Sequence, residues 1–181
     1  LSSIQLPSQQ PRRYFDLQKL QQLAESIKAH GILEPLLIRP IAGDRYELVA
    51  GERRYRAAKE IGLQEVPVVI RELSDLQAVE IALIENLQRE DLNPVEETEG
   101  ILTLLAAKLD MPTSEVSQLL HRLAKRGSDN VVGNEETLEV VESIFQIVGK
   151  MSWESFATHR LPLLNLPQPV LEALQAGKIE Y

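Results

Sequence analysis

Cysteine is absent from this 181-residue chain, which excludes disulfides, zinc–thiolate sites and thiol catalysis together. Histidine is scarce: His30, His121 and His159 lie far apart, and none sits in a metal-ligand spacing. No uninterrupted apolar run is long enough to span a bilayer and no signal-peptide pattern opens the chain, so a soluble protein with no membrane partner is expected. Excess positive charge is missing too. With 19 Lys and Arg against 27 Asp and Glu, the formal charge is −8, unusual for a nucleic-acid binder. Any DNA contact must then come from local basic patches, which counts against indiscriminate binding but not against a site-specific reader. What is present is a chain with 44% hydrophobic residues, long enough for one or two small domains with real cores.

The most informative stretch is Gly51-Glu52-Arg53-Arg54-Tyr55-Arg56-Ala57-Ala58-Lys59, which follows the strand-like run Tyr46 to Ala50 and opens a helix. A glycine at a strand-to-helix turn lets backbone N–H groups approach an anion, and the helix N-terminus adds a favourable dipole. Three arginines and a lysine supply charge for phosphate oxygens. A solvated basic helix face is the alternative. A second polar run, Glu85-Asn86-Leu87-Gln88-Arg89-Glu90-Asp91, offers the acidic and amide oxygens a magnesium ion needs beside a nucleotide. Together the two runs point to a phosphate site with a metal.

Residues 1–91 alternate strand and helix signals. Ile4 to Leu6, Pro35 to Arg39, Arg45 to Val49 and Val66 to Ile70 read as strands, with a turn at Ala42-Gly43-Asp44. Asp16 caps a helix carried by Leu17, Leu20, Leu23, Ala24 and Ile27 and stopped by Gly31. Another helix runs from Ser74 or Asp75 to about Arg89. After Asn93-Pro94, a cap with a first-turn proline, only helices are expected: about 94–109, 113–124, 136–148, 152–161, and a last one ending before Gly177. Lys125 to Asn134 reads as a mobile loop.

In the order of these segments the chain resembles the ParB family of DNA-partition proteins. The resemblance rests on Ile4-Gln5-Leu6-Pro7 leading to Gln10-Pro11-Arg12-Arg13, Leu23 to Ile27 leading to Gly31-Ile32-Leu33-Glu34-Pro35, Gly51 to Ala57, and Glu85 to Arg89 with Leu92-Asn93-Pro94. It implies an α+β fold: a small mixed-sheet ParB/sulfiredoxin-like nucleotide-binding domain over 1–92, then a helical DNA-binding domain over 93–181 with an insertion around 125–140. It further implies a CTP- and Mg2+-dependent switch in which nucleotide and DNA close a homodimer into a sliding clamp, with slow hydrolysis of CTP to CDP and phosphate helping to reopen it. The implied partners are double-stranded DNA carrying a centromere-like site and a ParA-type motor ATPase, in the cytoplasm on nucleoid or plasmid. The family's C-terminal dimerisation domain is expected to be missing from this chain.

Carried over by position, Arg12 and the backbone around Gly31 lie near the nucleotide, and Gly51, Arg53 and Arg54 hold its phosphates. Glu52 assists hydrolysis, Glu85 and Asn86 hold magnesium, and Arg89 supports them. Phosphoryl transfer depends mostly on positioning and charge neutralisation, which suits this set. One departure is visible: the family usually has glutamine where this chain has Glu34. The extra carboxylate could alter affinity or base choice, or be an exposed loop acid.

The family also implies a helix-turn-helix, for which two placements compete. One has its turn at Asp110-Met111-Pro112 and a second helix exposing Ser114, Glu115, Ser117 and Gln118, with Arg122, Lys125 and Arg126 for phosphates. The other has its turn at Gly149-Lys150-Met151, with Ser152, Ser155, Thr158 and Arg160 on the reading helix and Lys150 beside it. Collinearity with the family, whose recognition helix runs into a leucine–proline segment matching Leu166-Pro167, favours the second. Trp153 and Phe156 are expected in the core there, and His159 at the surface or as a cap. Two other functions use the same scaffold: a free-serine kinase, which the helical second half argues against, and a nuclease, for which Glu52, Glu85 and Asp91 are the available carboxylates.

Overall fold

The computed structural model describes residues 1–7, 17–89, 92–126, 135–175 and 178–179. The chain divides into two compact units, Leu1–Ala82 and Leu83–Tyr181.

The first unit carries β1 (Ile4–Gln5), α1 (Leu17–His30), β2 (Leu36–Ile41), β3 (Arg45–Ala50), α2 (Glu52–Glu60), β4 (Val68–Ile70) and the start of α3 (Asp75–Leu87). Its strands form one mixed sheet in the order β1-β3-β2-β4, with β1 parallel to β3, β2 antiparallel to β3 and β4 parallel to β2. The hairpin between β2 and β3 turns through Gly43 and Asp44, whose φ values of 80° and 52° lie in the left-handed region. Alternation then sorts the side chains: Leu36, Ile38 and Leu48 enter the core with Ile4 and Tyr55. Arg39 lies opposite Glu47 in the ladder and donates to it at 2.7 Å, while also reaching the Asp75 carboxylate at 2.7 Å. Burial opposes the charged form of Arg39, but its hydrogen bonds to Asp75 and Glu47 outweigh this and raise the guanidinium pKa. Helix α1 lies on α2 through Ala24, Ile27 and Ala57 and stops at Gly31, whose N–H donates to Ile27. That stop was legible from the glycine, which takes φ 74°.

The second unit is helical among its described residues: α4 (Pro94–Leu109), α5 (Thr113–Arg126), α6 (Glu135–Val148), α7 (Trp153–Ser155) and α8 (Gln168–Gln175). Asn93 caps α4 by accepting from the N–H groups of Val95 and Glu96, and Glu96 closes the capping box on the Asn93 N–H. The core gathers on α4, where Ile101, Leu104 and Leu105 meet Val116 and Leu120 of α5 and Ile144 of α6. Helix α5 continues through Lys125 and Arg126, where a loop was expected, since both are good helix formers behind the buried Leu123. The remaining loop residues, 127–134, lie outside the described ones.

The expected helix over 152–161 is not regular. Ser152 caps α7, the backbone then widens into a π-turn over Phe156–Arg160 and tightens into a 3-10 turn over Leu161–Asn165. Pro162 explains the change, because its ring has no N–H to donate and crowds the preceding turn. Trp153 and Phe156 are buried as expected, and the Phe156 ring packs tilted on Phe145 with centroids 5.2 Å apart.

Candidate functional site

The glycine-arginine turn sits where β3 hands over to α2. Gly51 takes φ 93° and ψ 30° as the N-cap of α2, and no side chain caps the helix there. A Cβ on Gly51 would lie 2.9 Å from Leu36 Cδ2 and 3.2 Å from Arg54 Nη2. Glycine is therefore required twice: by a dihedral that L side chains rarely adopt, and by the close approach of Arg54 to the backbone. The positive end of the α2 dipole lies at this turn, which favours an anion.

The three arginines diverge. Arg54 Nη1 donates to the carbonyls of Glu34 at 2.6 Å and Pro35 at 3.0 Å, so the chain leaving Gly31 fixes its head beside the turn. The same nitrogen lies 3.2 Å from the Glu34 carboxylate. Arg53 reaches the other way, donating to the Lys19 carbonyl of α1 at 3.3 Å. Arg56 turns back on Glu52, with Nε and Nη2 at 2.7 and 2.6 Å from one carboxylate oxygen, so it serves the helix rather than the turn. Tyr55 points inward and its hydroxyl donates to the Ile4 carbonyl, tying α2 to β1. Gly31 has no atom within 4 Å of a built Cβ, so its requirement is conformational alone. Arg12 lies outside the described residues.

The second polar run ends α3 and belongs to the second unit. Glu85 is exposed, and Asn86 Oδ1 accepts from Arg89 Nη1 at 3.1 Å. Leu87 between them is buried against Gly100, where a Cβ would come within 2.8 Å of it. No group of three acidic or histidine side chains able to hold a metal occurs among the described residues. A carboxylate and an amide oxygen do suit magnesium, which takes one or two protein oxygens and completes its shell with phosphate and water. Asp91 lies outside the described residues.

Both candidate reading helices present polar side chains. On α5, Ser114, Glu115, Gln118, Arg122 and Lys125 are exposed, Ser117 is half-buried, and Val116, Leu119, Leu120 and Leu123 face the core. The side chain of Arg126 is not among those described. On the other segment Ser152 accepts from the Ser155 N–H, Thr158 donates to the Glu154 carbonyl, and His159 Nδ1 lies 3.1 Å from the Ser155 carbonyl. Lys150 and Arg160 share one acid: Glu97 of α4, only 7% exposed, lies 2.8 Å from Lys150 Nζ and 3.4 Å from Arg160 Nη2. Sequence reasoning missed Glu97. The signal was its place on the apolar stripe, four residues before Ile101 and eight before Leu105, where a charge needs a partner.

A small mixed sheet with a glycine-arginine turn at its strand-to-helix junction, followed by a helical unit, defines a class that comparison with known proteins identifies. Residues 1–87 match the ParB N-terminal domain. A probable plasmid-partitioning protein ParB of Thermus thermophilus is 53% identical over 176 residues, covering 95% of this chain and 58% of that protein. A probable chromosome 2-partitioning protein ParB of Deinococcus radiodurans is 49% identical over 177 residues, covering 98% of this chain and again 58% of the relative. Among solved structures, the C-terminally truncated chromosome-partitioning protein ParB from Caulobacter crescentus, complexed to the centromeric parS site, aligns with a TM-score of 0.64 at 33% identity. That alignment covers 98% of this chain and 76% of the other. The chain belongs to the ParB family. It spans somewhat more than half the length of these curated relatives.

Proposed function

We propose that this chain is the nucleotide-switch and DNA-reading part of a partition protein: it binds CTP with Mg2+, recognises a centromere-like DNA site, and closes as a homodimer around the DNA. The single observation that carries the nucleotide reading is Gly51, a left-handed residue at the start of α2 with the Arg54 guanidinium held against it. In this reading Gly51, Arg53 and Arg54 hold the phosphates, with Arg12 and the backbone at Gly31 beside the nucleotide. Glu85 and Asn86 hold the metal, Arg89 orients Asn86, and magnesium when bound neutralises phosphate charge. Glu52 assists slow hydrolysis, and its pair with Arg56 fixes the carboxylate at the first turn of the helix.

For DNA, the reading takes Ser152, Ser155, Thr158, Lys150 and Arg160 as the interface, with Gln118 and Arg122 of α5 as the other placement. The relative solved on parS DNA supports a DNA-bound role, and the relatives described as plasmid- and chromosome-partitioning support a partition role on nucleoid or plasmid, where the family resemblance implies a ParA-type motor as partner. No helix among the described residues is long and apolar enough to cross a membrane.

The test is a titration with all four nucleoside triphosphates, with and without magnesium, on the wild type and Arg54→Ala. CTP with magnesium is expected to bind selectively. Losing the charge-assisted phosphate contact costs about 1.5–3 kcal/mol, roughly tenfold or more in affinity. Equal weak binding of every triphosphate, unchanged in Arg54→Ala, would sink the assignment.

A further inference from the structure

We propose that Glu34 is an affinity-setting residue of the nucleotide site: a built-in anion that competes with phosphate for Arg54. The inference rests on reading the Gly51 turn as the phosphate site. Arg54 Nη1 carries two protons but faces three acceptors, the carbonyls of Glu34 at 2.6 Å and Pro35 at 3.0 Å and the Glu34 carboxylate at 3.2 Å. The carbonyls are the shorter contacts and belong to the backbone entering β2, so they aim the guanidinium without help from the carboxylate. The carboxylate is the longest of the three, and its side chain is 82% exposed, so it can swing away into water. Its contribution is charge more than geometry: a negative group parked on the cation that an incoming phosphate needs.

Two like-charged groups cannot share one guanidinium edge without cost, so phosphate binding must displace or tolerate Glu34. Glu34→Gln keeps both backbone contacts and removes only the charge. An exposed pair of this kind is weak, which sets the expected gain at about two- to fivefold in affinity at low salt. Screening should narrow that gap as salt rises.

The experiment measures binding of CTP, ATP, GTP, UTP and inorganic triphosphate, each with magnesium, to wild type, Glu34→Gln, Glu34→Asp and Arg54→Ala, at low and high salt. Thermal unfolding of each variant checks that the fold is unchanged. The proposal expects Glu34→Gln to tighten inorganic triphosphate and every nucleotide that binds by a similar factor, and Glu34→Asp to stay near wild type. Equal tightening by Glu34→Asp would make shape rather than charge the cause and overturn it. A change confined to CTP, or weaker CTP binding in Glu34→Gln, would make Glu34 a base contact and overturn it as well. If wild type and Glu34→Gln bind alike while Arg54→Ala binds nothing, the nucleotide site stands and the role of Glu34 falls. If no variant binds any of the five ligands, both fall together.

Discussion

Gly51→Ala tests the physical core of the site, because two separable penalties meet at one residue. The first is conformational: an alanine held at φ 93° costs about 1–3 kcal/mol. The second is steric. The new Cβ would sit 2.9 Å from Leu36 Cδ2, and Leu36 is fully buried on β2, so it cannot yield without disturbing the sheet. Overpacking of that kind costs about 1–3 kcal/mol. Arg54 can yield more easily, but only by leaving the Glu34 and Pro35 carbonyls, which removes it from the turn. The sum, about 2–6 kcal/mol, is a large share of the stability of a small domain.

Gly31→Ala supplies the internal control, since its φ of 74° carries the conformational penalty with no atom near the added methyl. Urea unfolding should show Gly51→Ala less stable than Gly31→Ala by about 1–3 kcal/mol, the overpacking share alone. Amide exchange along β2 and β3 should accelerate in Gly51→Ala, and nucleotide binding should be lost. Equal destabilisation by the two substitutions, with β2 protection intact, would show that Leu36 relaxes freely and would refute the steric half of the reasoning.

Glu52→Ala should still bind nucleotide and release phosphate slowly, as read by titration and phosphate release; loss of binding along with turnover would make Glu52 structural or metal-holding instead. Glu97→Gln should lower stability by about 1–3 kcal/mol in urea, because it removes the negative partner of the half-buried Arg160 and the exposed Lys150, and an unchanged midpoint would mean both are satisfied without it. With a linked dimer on site-specific DNA, Thr158→Ala and Arg160→Ala should weaken binding while Gln118→Ala does little; the reverse order would move the reading helix to α5. The salt dependence of that binding should be shallow for a chain of net charge −8, and a steep slope would reveal many phosphate contacts that the acidic sequence conceals.

Legibility followed the range of the interactions. Gly31, Gly51 and the Asn93-Pro94 cap act on neighbouring backbone, and each set an element boundary that could be read from residue type and spacing. The strand runs of β2 and β3 and the turn between them were legible, while the pairing of Arg39 with Glu47 needed the register, which no local pattern supplies. The distortion at Phe156–Arg160 was not legible: Pro162 lies one residue past the expected helix, and residue type alone does not say whether the backbone before it breaks, kinks or widens. Glu34 stood out as a residue type, yet its partner Arg54 lies 20 positions away and needed the strand between them to be placed.

Glu97 shows why the DNA interface stayed ambiguous. Its partners are remote in sequence, and pairing changes what those cations can offer. A phosphate approaching Lys150 or Arg160 meets charge already shared with a buried carboxylate, whereas Arg122 and Lys125 of α5 stand exposed to solvent. On phosphate attraction alone α5 is the better surface, while order along the chain favours the segment after Gly149. The two can be reconciled if the roles divide. Glu97 would then hold the distorted segment in place through Lys150 and Arg160, leaving Ser152 and Thr158 to meet base edges, while α5 supplies the phosphate contacts that fix register. That division makes a distinct demand: Arg122→Ala should weaken all DNA binding equally, and Thr158→Ala should erase only the preference for the specific site. If Arg122→Ala instead cost only the specific site, α5 itself would be reading bases and the division would fail.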